Sequence, residues 1–340
     1  MAKKVTMQDI ADRLNISKNS VSQALSSKPG VSEETRRLIQ MSATELGYQY
    51  KSTGKKMNEN RGNIGFIASD FAFSHKMFFG EIYLSTEKEA IKREMNLYIH
   101  SISKYAIEHM ILPPFIENNL VEGILILSHI STEYINKVIA TGIPTVIIDH
   151  HHPLIQADAI LTNNRYGAFK AVEYLIKLNH RNIAFVGDIN LSPSYMERLE
   201  GYKMALKKNG IEPNGQFMFL NAQEKEGSIG SFVDQLSEYP TAWFCVNDGL
   251  GFLISSKLQQ KGIRVPDDAS VISFDNGQLS QLSTPKITTM GIDLGLYGKK
   301  AVEQLCWRMD NRDEPIVEYL LPTTLIERES TSLARTKIEI

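Results

Sequence analysis

Near the start of this 340-residue chain the apolar residues recur at helical spacing. Met7, Ile10, Ala11 and Leu14 fall at i, i+3, i+4 and i+7 and so form one buried stripe of a short helix. Thr6 stands where a hydroxyl cap belongs, and Asp9 favours the positive end of the helix. Asn15 suits the left-handed turn by which a chain leaves a helix sharply. Ser17 then caps a second helix in which Val21, Ala24 and Leu25 make the inner edge. Lys18, Asn19, Ser22 and Gln23 are left on its outer face. The run Ser26-Ser-Lys-Pro-Gly30 reads as a turn. Ser32 caps a third helix that runs to about Leu46, with Leu38, Ile39 and Leu46 inward and Gly47 as its stop. Two short helices joined by a tight turn, followed by a supporting helix, make the helix-turn-helix pattern. A small trihelical bundle also suits protein interaction. The outer face of the second helix, with Lys, Asn, Gln and small hydroxyls and no acid, favours DNA.

Beyond a polar, glycine-containing stretch at 50–62, read as a hinge or linker, the rhythm changes. Asn63–Ser69, Leu97–Ile102, Gly123–Ser128 and Pro144–Asp149 read as short buried strands, separated by helical segments at roughly 77–94, 105–118 and 131–140. A second round follows Asn163. It has a helix to Leu178, strands at 182–187, 216–220, 241–246 and 270–274, and helices at 195–209, 227–237 and 249–261. Strands alternating with helices mean parallel sheets. Two doubly wound sheets side by side leave a cleft at the carboxyl ends of their strands. The strand ends aim Ser69/Asp70, Asp149, Asn247/Asp248 and Asp275 there, and Arg198 joins from a helix. Locally, Asp275 could instead cap a turn before Asn276-Gly277, and Asp248 the next helix. Carboxylates and amides around a planar arginine suit a ligand with several hydroxyls.

Composition is that of an ordinary globular protein: 42% hydrophobic, 22% charged and 9% aromatic. The net charge of −2 hides an asymmetry. Residues 1–61 hold eleven Lys/Arg against six acids, leaving 26 basic and 33 acidic residues in the remainder. A basic head on an acidic body suggests that the head meets a polyanion. Only two cysteines occur, Cys245 and Cys306, without metal-ligand spacing, as expected of reduced thiols. The start of the chain is not a secretory signal and no apolar run approaches the roughly 20 residues of a membrane helix, so a cytoplasmic, nucleoid-associated protein is expected. His150-His-His152 cannot turn all three rings to one ion from an extended chain and reads as a solvated loop. No phosphate-loop or dinucleotide motif and no nucleophile-base-acid arrangement is found. Neither an enzyme nor a cofactor or metal site is expected.

Val5-Thr-Met-Gln-Asp-Ile-Ala11, Ile16-Ser-Lys-Asn-Ser-Val-Ser22, Gly30-Val-Ser-Glu-Glu-Thr-Arg36 and Glu45-Leu-Gly-Tyr48 resemble the headpiece of the lactose/galactose-repressor (LacI/GalR) family of bacterial transcriptional regulators. The likeness continues through Asn163-Asn-Arg-Tyr-Gly-Ala168, His180-Arg-Asn-Ile-Ala184, Arg198-Leu-Glu-Gly-Tyr202 and Asn247-Asp248 to Val265-Pro-Asp-Asp-Ala-Ser-Val-Ile-Ser-Phe-Asp275 and Leu325-Ile-Glu-Arg-Glu-Ser330. Each motif is weak; in this order, across the whole chain, they are specific. The resemblance implies an all-α helix-turn-helix headpiece (1–49), a hinge (50–62) and an α/β effector-binding and dimerisation domain (63–340). That domain is periplasmic-binding-protein-like, with two doubly wound parallel-sheet lobes. The chain would cross between them near 162, 290 and 321, giving lobe one at about 63–161 and 291–321 and lobe two at about 162–290 and 322–340.

The resemblance further implies that Lys18, Asn19 and Gln23 read base edges and that Thr6, Ser17, Ser20, Ser22, Ser32 and Thr35 hold phosphates. Gln23, where relatives often carry Arg, would select adenine. Met57 aligns with the apolar wedge of the minor-groove hinge, although Gly54 stands where an alanine is usual. Asp149, Arg198, Asn247 and Asp275 match effector-binding positions, with Asp70, Phe73, Phe79 and Asp248 as further candidates. Relatives that bind pyranosides often place an aromatic where this chain has Ala222. The effector could therefore be a sugar, a sugar acid, a polyol, a phosphorylated sugar or a non-sugar. The reading is a regulator, expected to be a repressor, that binds a palindromic double-stranded DNA operator as a homodimer under a small-molecule effector. A regulator with a protein corepressor, a solute-binding protein without a DNA role and a doubly wound enzyme are the alternatives.

Overall fold

The computed structural model describes residues 5–25, 31–46, 48, 62–70, 72, 76–127 and 130–335. The expected turn at 26–30, Gly47, the hinge with Gly54 and Met57, and Phe73 lie outside them. The chain divides into two compact units, Met1–Arg61 and Gly62–Ile340.

In the first unit α1 (Met7–Leu14), α2 (Lys18–Leu25) and α3 (Glu33–Glu45) enclose a small core of Ile10, Ala11, Val21, Ala24, Ile39 and Ala43. Thr6 caps α1 in a capping box with Asp9, and Asn15 leaves the helix at φ 53°, the left-handed exit its short polar side chain tolerates. Leu38 departs from the sequence reading: it is 52% exposed. Ile39 and Ala43 set the inner stripe of α3, so Leu38, turned about 100° from Ile39, shares the outer face with Met41.

The second unit contains two six-stranded sheets. The first runs in the order β11-β5-β4-β3-β1-β2, from β1 (Asn63–Ser69), β2 (Asn96–Ile102), β3 (Gly123–Leu127), β4 (Thr145–Ile148), β5 (Asp158–Thr162) and β11 (Glu318–Leu321). All its pairings are parallel. The second, β12-β10-β9-β8-β6-β7, is built from β6 (Ile183–Val186), β7 (Met218–Phe219), β8 (Ala242–Cys245), β9 (Ser270–Asp275), β10 (Thr288–Ile292) and β12 (Thr323–Ile326). Here the parallel expectation fails at one edge, where β12 runs antiparallel to β10. The chain passes between the two sheets after β5, after β10 and after β11.

The helices are α4 (Glu81–Lys92, entered through a π-helical turn at Lys76–Gly80), α5 (Lys104–Glu108), α6 (Pro114–Glu117) and α7 (Thr132–Ile139). They continue with α8 (Asn164–Lys177), α9 (Pro193–Lys208), α10 (Glu226–Asp234), α11 (Asp248–Gln260), α12 (Gln278–Leu282) and α13 (Leu294–Asp310). The single helix expected over 105–118 is broken into α5 and α6. Pro113 and Pro114 lack the N–H that would continue the ladder, and each biases the residue before it away from the helical region. Strands β1, β3, β4, β5 and β8 are buried along their whole length, as parallel strands covered on both faces must be. No described helix is long and apolar enough to cross a membrane.

Candidate functional site

The headpiece brings its polar residues to helix starts and one helix face. Lys18 and Asn19 are exposed at the first turn of α2, which carries no acid, and Ser22 and Gln23 are half-buried on the same helix. The carbonyls of Gln23 and Ala24 accept from the Arg36 guanidinium, which ties α2 to α3. The hydroxyls expected to meet phosphates also do structural work. Thr6 caps α1. Ser17 Oγ accepts from the Ser20 amide at 3.0 Å and pairs with Ser20 Oγ at 2.9 Å. Ser32 Oγ accepts from the Thr35 amide at 3.2 Å and pairs with Thr35 Oγ1 at 2.8 Å. A hydroxyl pair uses one of its two protons internally. Each pair thus keeps one donor at a helix N-terminus, where the backbone dipole also favours an anion.

In the second unit the cleft is organised around Arg198. The route starts at Gly201, on the same helix α9: a Cβ there would lie 2.1 Å from the Arg165 carbonyl oxygen of α8. Glycine thus lets the two helices approach closely enough for Arg198 Nε to donate to Asn164 Oδ1 at 2.9 Å. Arg198 is 3% exposed. Its guanidinium carbon sits 3.8 Å from the Phe274 ring centroid, a cation–π contact strengthened by desolvation. Nη1 donates to the Val246 carbonyl and lies 3.2 Å from Asp275 Oδ1. That last contact is an ion pair without hydrogen-bond alignment, so Asp275 Oδ1 is buried without a hydrogen-bond partner.

Asp275 ends β9 at φ 104°, followed by Asn276 at 61°, a backbone region few L-residues adopt and one in which strain is stored. Asp248 holds this corner. Its carboxylate accepts from Ser273 Oγ at 2.5 Å, from Thr289 Oγ1 at 2.9 Å and from the Gly277 amide. Asp248 is therefore occupied by protein donors, and the next helix is capped by Asn247, whose Oδ1 accepts from the Leu250 amide at 2.8 Å. Asn247 Nδ2 donates to Tyr195 Oη at 2.7 Å and to Glu224.

Lobe one contributes Asp149, just past β4 at φ 55°. It accepts from Tyr297 Oη at 3.2 Å, and Tyr297 in turn shares a hydrogen bond with Thr162 Oγ1 at 2.9 Å. Burial pushes the Asp149 carboxyl up to about 6, against the pull of Arg198 and Tyr297. Burial likewise takes Asp275 to about 7, opposed by Arg198 and reinforced by the charges of Asp248, Asp149 and Glu224. Asp149 and Asp275 thus lie on different lobes, and the charge of Arg198 opposes the rise of both.

The other candidates sit elsewhere. Asp70 is exposed and accepts from Ser101 Oγ on β2. Phe79 is 7% exposed in the apolar core, edge-on to Phe78 with ring centroids 5.0 Å apart. Ala222 is buried. The histidine loop leads to one inter-lobe contact: His151 lies 3.1 Å from Glu318 of β11 and 3.6 Å from Glu197 of α9. Among the described residues no group of His, Cys, Asp and Glu is placed to hold a metal ion. Asn164, Tyr195, Glu224 and Tyr297 belong to the cleft although sequence reasoning missed them. Only Asn164 carried a signal, inside the quoted Asn163–Ala168 motif.

Comparison with known proteins gives a consistent picture. Residues 6–50 match the model of bacterial regulatory proteins, lacI family, and residues 172–331 that of the periplasmic binding protein-like domain. The chain is 30% identical to the probable HTH-type transcriptional repressor ExuR of Bacillus subtilis over 293 residues, 84% of this chain and 86% of that one. It is 29% identical to the ribose operon repressor of Haemophilus influenzae over 330 residues, 96% and 98% of the two chains. Its fold resembles that of the lac repressor dimer bound to operator and the anti-inducer ONPF, with a TM-score of 0.70 at 22% identity over 97% of this chain and all of that one.

Proposed function

The chain belongs to the lacI family of bacterial regulatory proteins, and on that premise we propose how its own residues divide the work of a DNA-binding transcriptional repressor. Lys18, Asn19 and Gln23 read base edges in the major groove, with Gln23 on an adenine. Thr6, Ser17, Ser20, Ser22, Ser32 and Thr35 grip phosphates and fix register, and Met57 wedges into the minor groove. Each headpiece reads half a palindrome, so the working unit is a symmetric homodimer. It acts in the cytoplasm, on the nucleoid. A sugar or sugar derivative held by Arg198, Asp275, Asn247 and Asp149 shifts one lobe against the other and alters operator affinity, a coupling that is reciprocal.

The observation that carries this reading is α2: a basic first turn without acid, Lys18 and Asn19 in solvent, and the apolar edge of Val21 and Ala24 fully buried behind them. The test is binding of the purified full chain to a palindromic duplex from its own promoter region at 50 and 200 mM salt. With six or more phosphate contacts, affinity falls by about 10³-fold or more between the two. No binding at low salt, or binding that ignores salt, contradicts the proposal.

A further inference from the structure

At the end of lobe one away from the cleft lies a cavity of about 200 Å³. The strands of the first sheet all run parallel, so their amino ends share one edge, and β1 enters that edge directly after Gly62. Thr145 opens β4 in this cavity, whereas Asp149 follows the far end of the same strand. The two sites therefore share no residue.

The floor of the cavity is fixed by the protein itself. Arg308 is 7% exposed and uses all five of its side-chain N–H groups. Nε donates to Asp158 Oδ2 at 2.8 Å, and Nη2 donates to Asp158 Oδ1 at 2.7 Å and to the Pro315 carbonyl at 2.8 Å. Nη1 donates to the carbonyls of Asn311 at 3.1 Å and Glu314 at 2.6 Å. The buried Asp158 carboxylate also accepts from Gln304 Nε2 at 2.7 Å and from the Val317 amide at 2.9 Å. These bonds hold the turn after α13 against β5, so the cavity is formed before any ligand arrives. Ile139, Ile143 and Ala157 give it an apolar wall, and Ile316, 48% exposed, carries that wall to the surface. Arg312 and Glu314 complete the lining. Both are exposed, and neither side chain makes a hydrogen bond or ion pair among the described residues. The charges of Arg308 and Asp158 cancel, which leaves one free cation and one free anion beside an apolar surface.

We propose that this cavity binds a zwitterion with an aliphatic side chain, a free α-amino acid of the size of leucine or isoleucine. The planar Arg312 guanidinium takes the carboxylate, for which it can supply two parallel bonds. Glu314 takes the ammonium, and the isoleucines cover the side chain. A simple anion would meet the like charge of Glu314 and a simple cation that of Arg312, so each alone is disfavoured. The volume lies below the roughly 300–1,000 Å³ of sites for drug-sized ligands, which selects a compound as small as a single amino acid. The site gives the regulator a second input, at the end of lobe one where the chain enters.

The test titrates leucine and isoleucine into the full-length protein by calorimetry and follows its melting temperature. Three controls each lack one feature: 4-methylpentanoate the ammonium, 3-methylbutylamine the carboxylate and alanine the branched side chain. Leucine or isoleucine should bind with a dissociation constant below about 1 mM. Each control should bind at least about tenfold more weakly. Arg312→Ala and Glu314→Gln change exposed side chains, so the melting temperature without ligand should stay within about 2 °C of the parent's. Each should weaken leucine binding by about tenfold or more. Neither heat nor a rise in melting temperature with either amino acid at about 10 mM overturns the proposal. So does a control that binds as tightly as leucine, or a variant that binds leucine as the parent does.

Discussion

The headpiece and the cleft place their working residues in opposite environments. On α2 Lys18 and Asn19 stand in water, and the apolar face behind them supplies the stability. In the cleft Arg198 is 3% exposed and Asp275 and Asp149 have carboxyls pushed up to about 7 and 6. DNA brings its own charge to an exposed surface, so the headpiece needs donors in place and little else. A small ligand has to be enclosed, and enclosing it buries charges whose mutual balance becomes part of the fold's stability.

The comparison breaks most visibly at Arg198. Arg198→Ala leaves Asn164 Oδ1 and the Val246 carbonyl without their donor and removes the ion pair with Asp275, and each buried polar group left unpaired costs about 1–3 kcal/mol. The melting temperature of the effector domain should drop accordingly and effector response vanish, while operator affinity measured well below the transition stays near that of the parent. Exposed reading residues behave differently. Gln23→Arg should leave the melting temperature nearly unchanged and switch the preferred base at its step from adenine to guanine, a discrimination worth about 1–3 kcal/mol, as read by selection from a randomised duplex library.

The smallest effect is in pH. The folded-state carboxyl of Asp275 is raised above its unfolded value of 3.8 to about 7, so the folded protein holds a proton there that the unfolded chain has lost. Its contribution to stability is present at low pH and is lost as pH rises between about 4 and 7. Asp275→Asn removes this titration. Between pH 5 and 8 its melting temperature should fall less than that of the parent by about 2–4 °C; parallel curves would mean that Asp275 titrates normally.

How much of this was legible in the sequence follows from the range of the interactions involved. The headpiece could be read because its stripe, caps and turn are all local: Thr6 with Asp9, Ser17 with Ser20, Asn15 at its left-handed exit. Leu38 was misplaced because one position on a helix is a 100° turn, and an apolar residue outside the stripe looks the same in sequence as one inside. Most strands followed from the alternation of buried runs with helices, and the three crossings were implied by the family resemblance. The antiparallel β12 and the short β5, β10 and β11 were missed. All four lie beside a passage of the chain from one sheet to the other, where the regular alternation of strand and helix is interrupted, and strand direction depends on where the chain returns. In the cleft, Arg198 and Asp275 came through the family motifs. Tyr297 and Glu224 did not, since their neighbours Asp149 and Asn247 lie 148 and 23 residues away. Asp248, read at its strand end either as a ligand contact or as the cap of the next helix, accepts from Ser273, Thr289 and Gly277, partners that lie 25 to 41 residues away.

The most direct test of the whole account is selection of duplexes from a random library by the full-length parent and by a Lys18→Ala/Asn19→Ala variant whose melting curve matches it. The account predicts that the parent enriches a palindrome with adenine at the Gln23 step and that the variant enriches none. Enrichment of the same palindrome by both proteins, or of none by the parent, would contradict it.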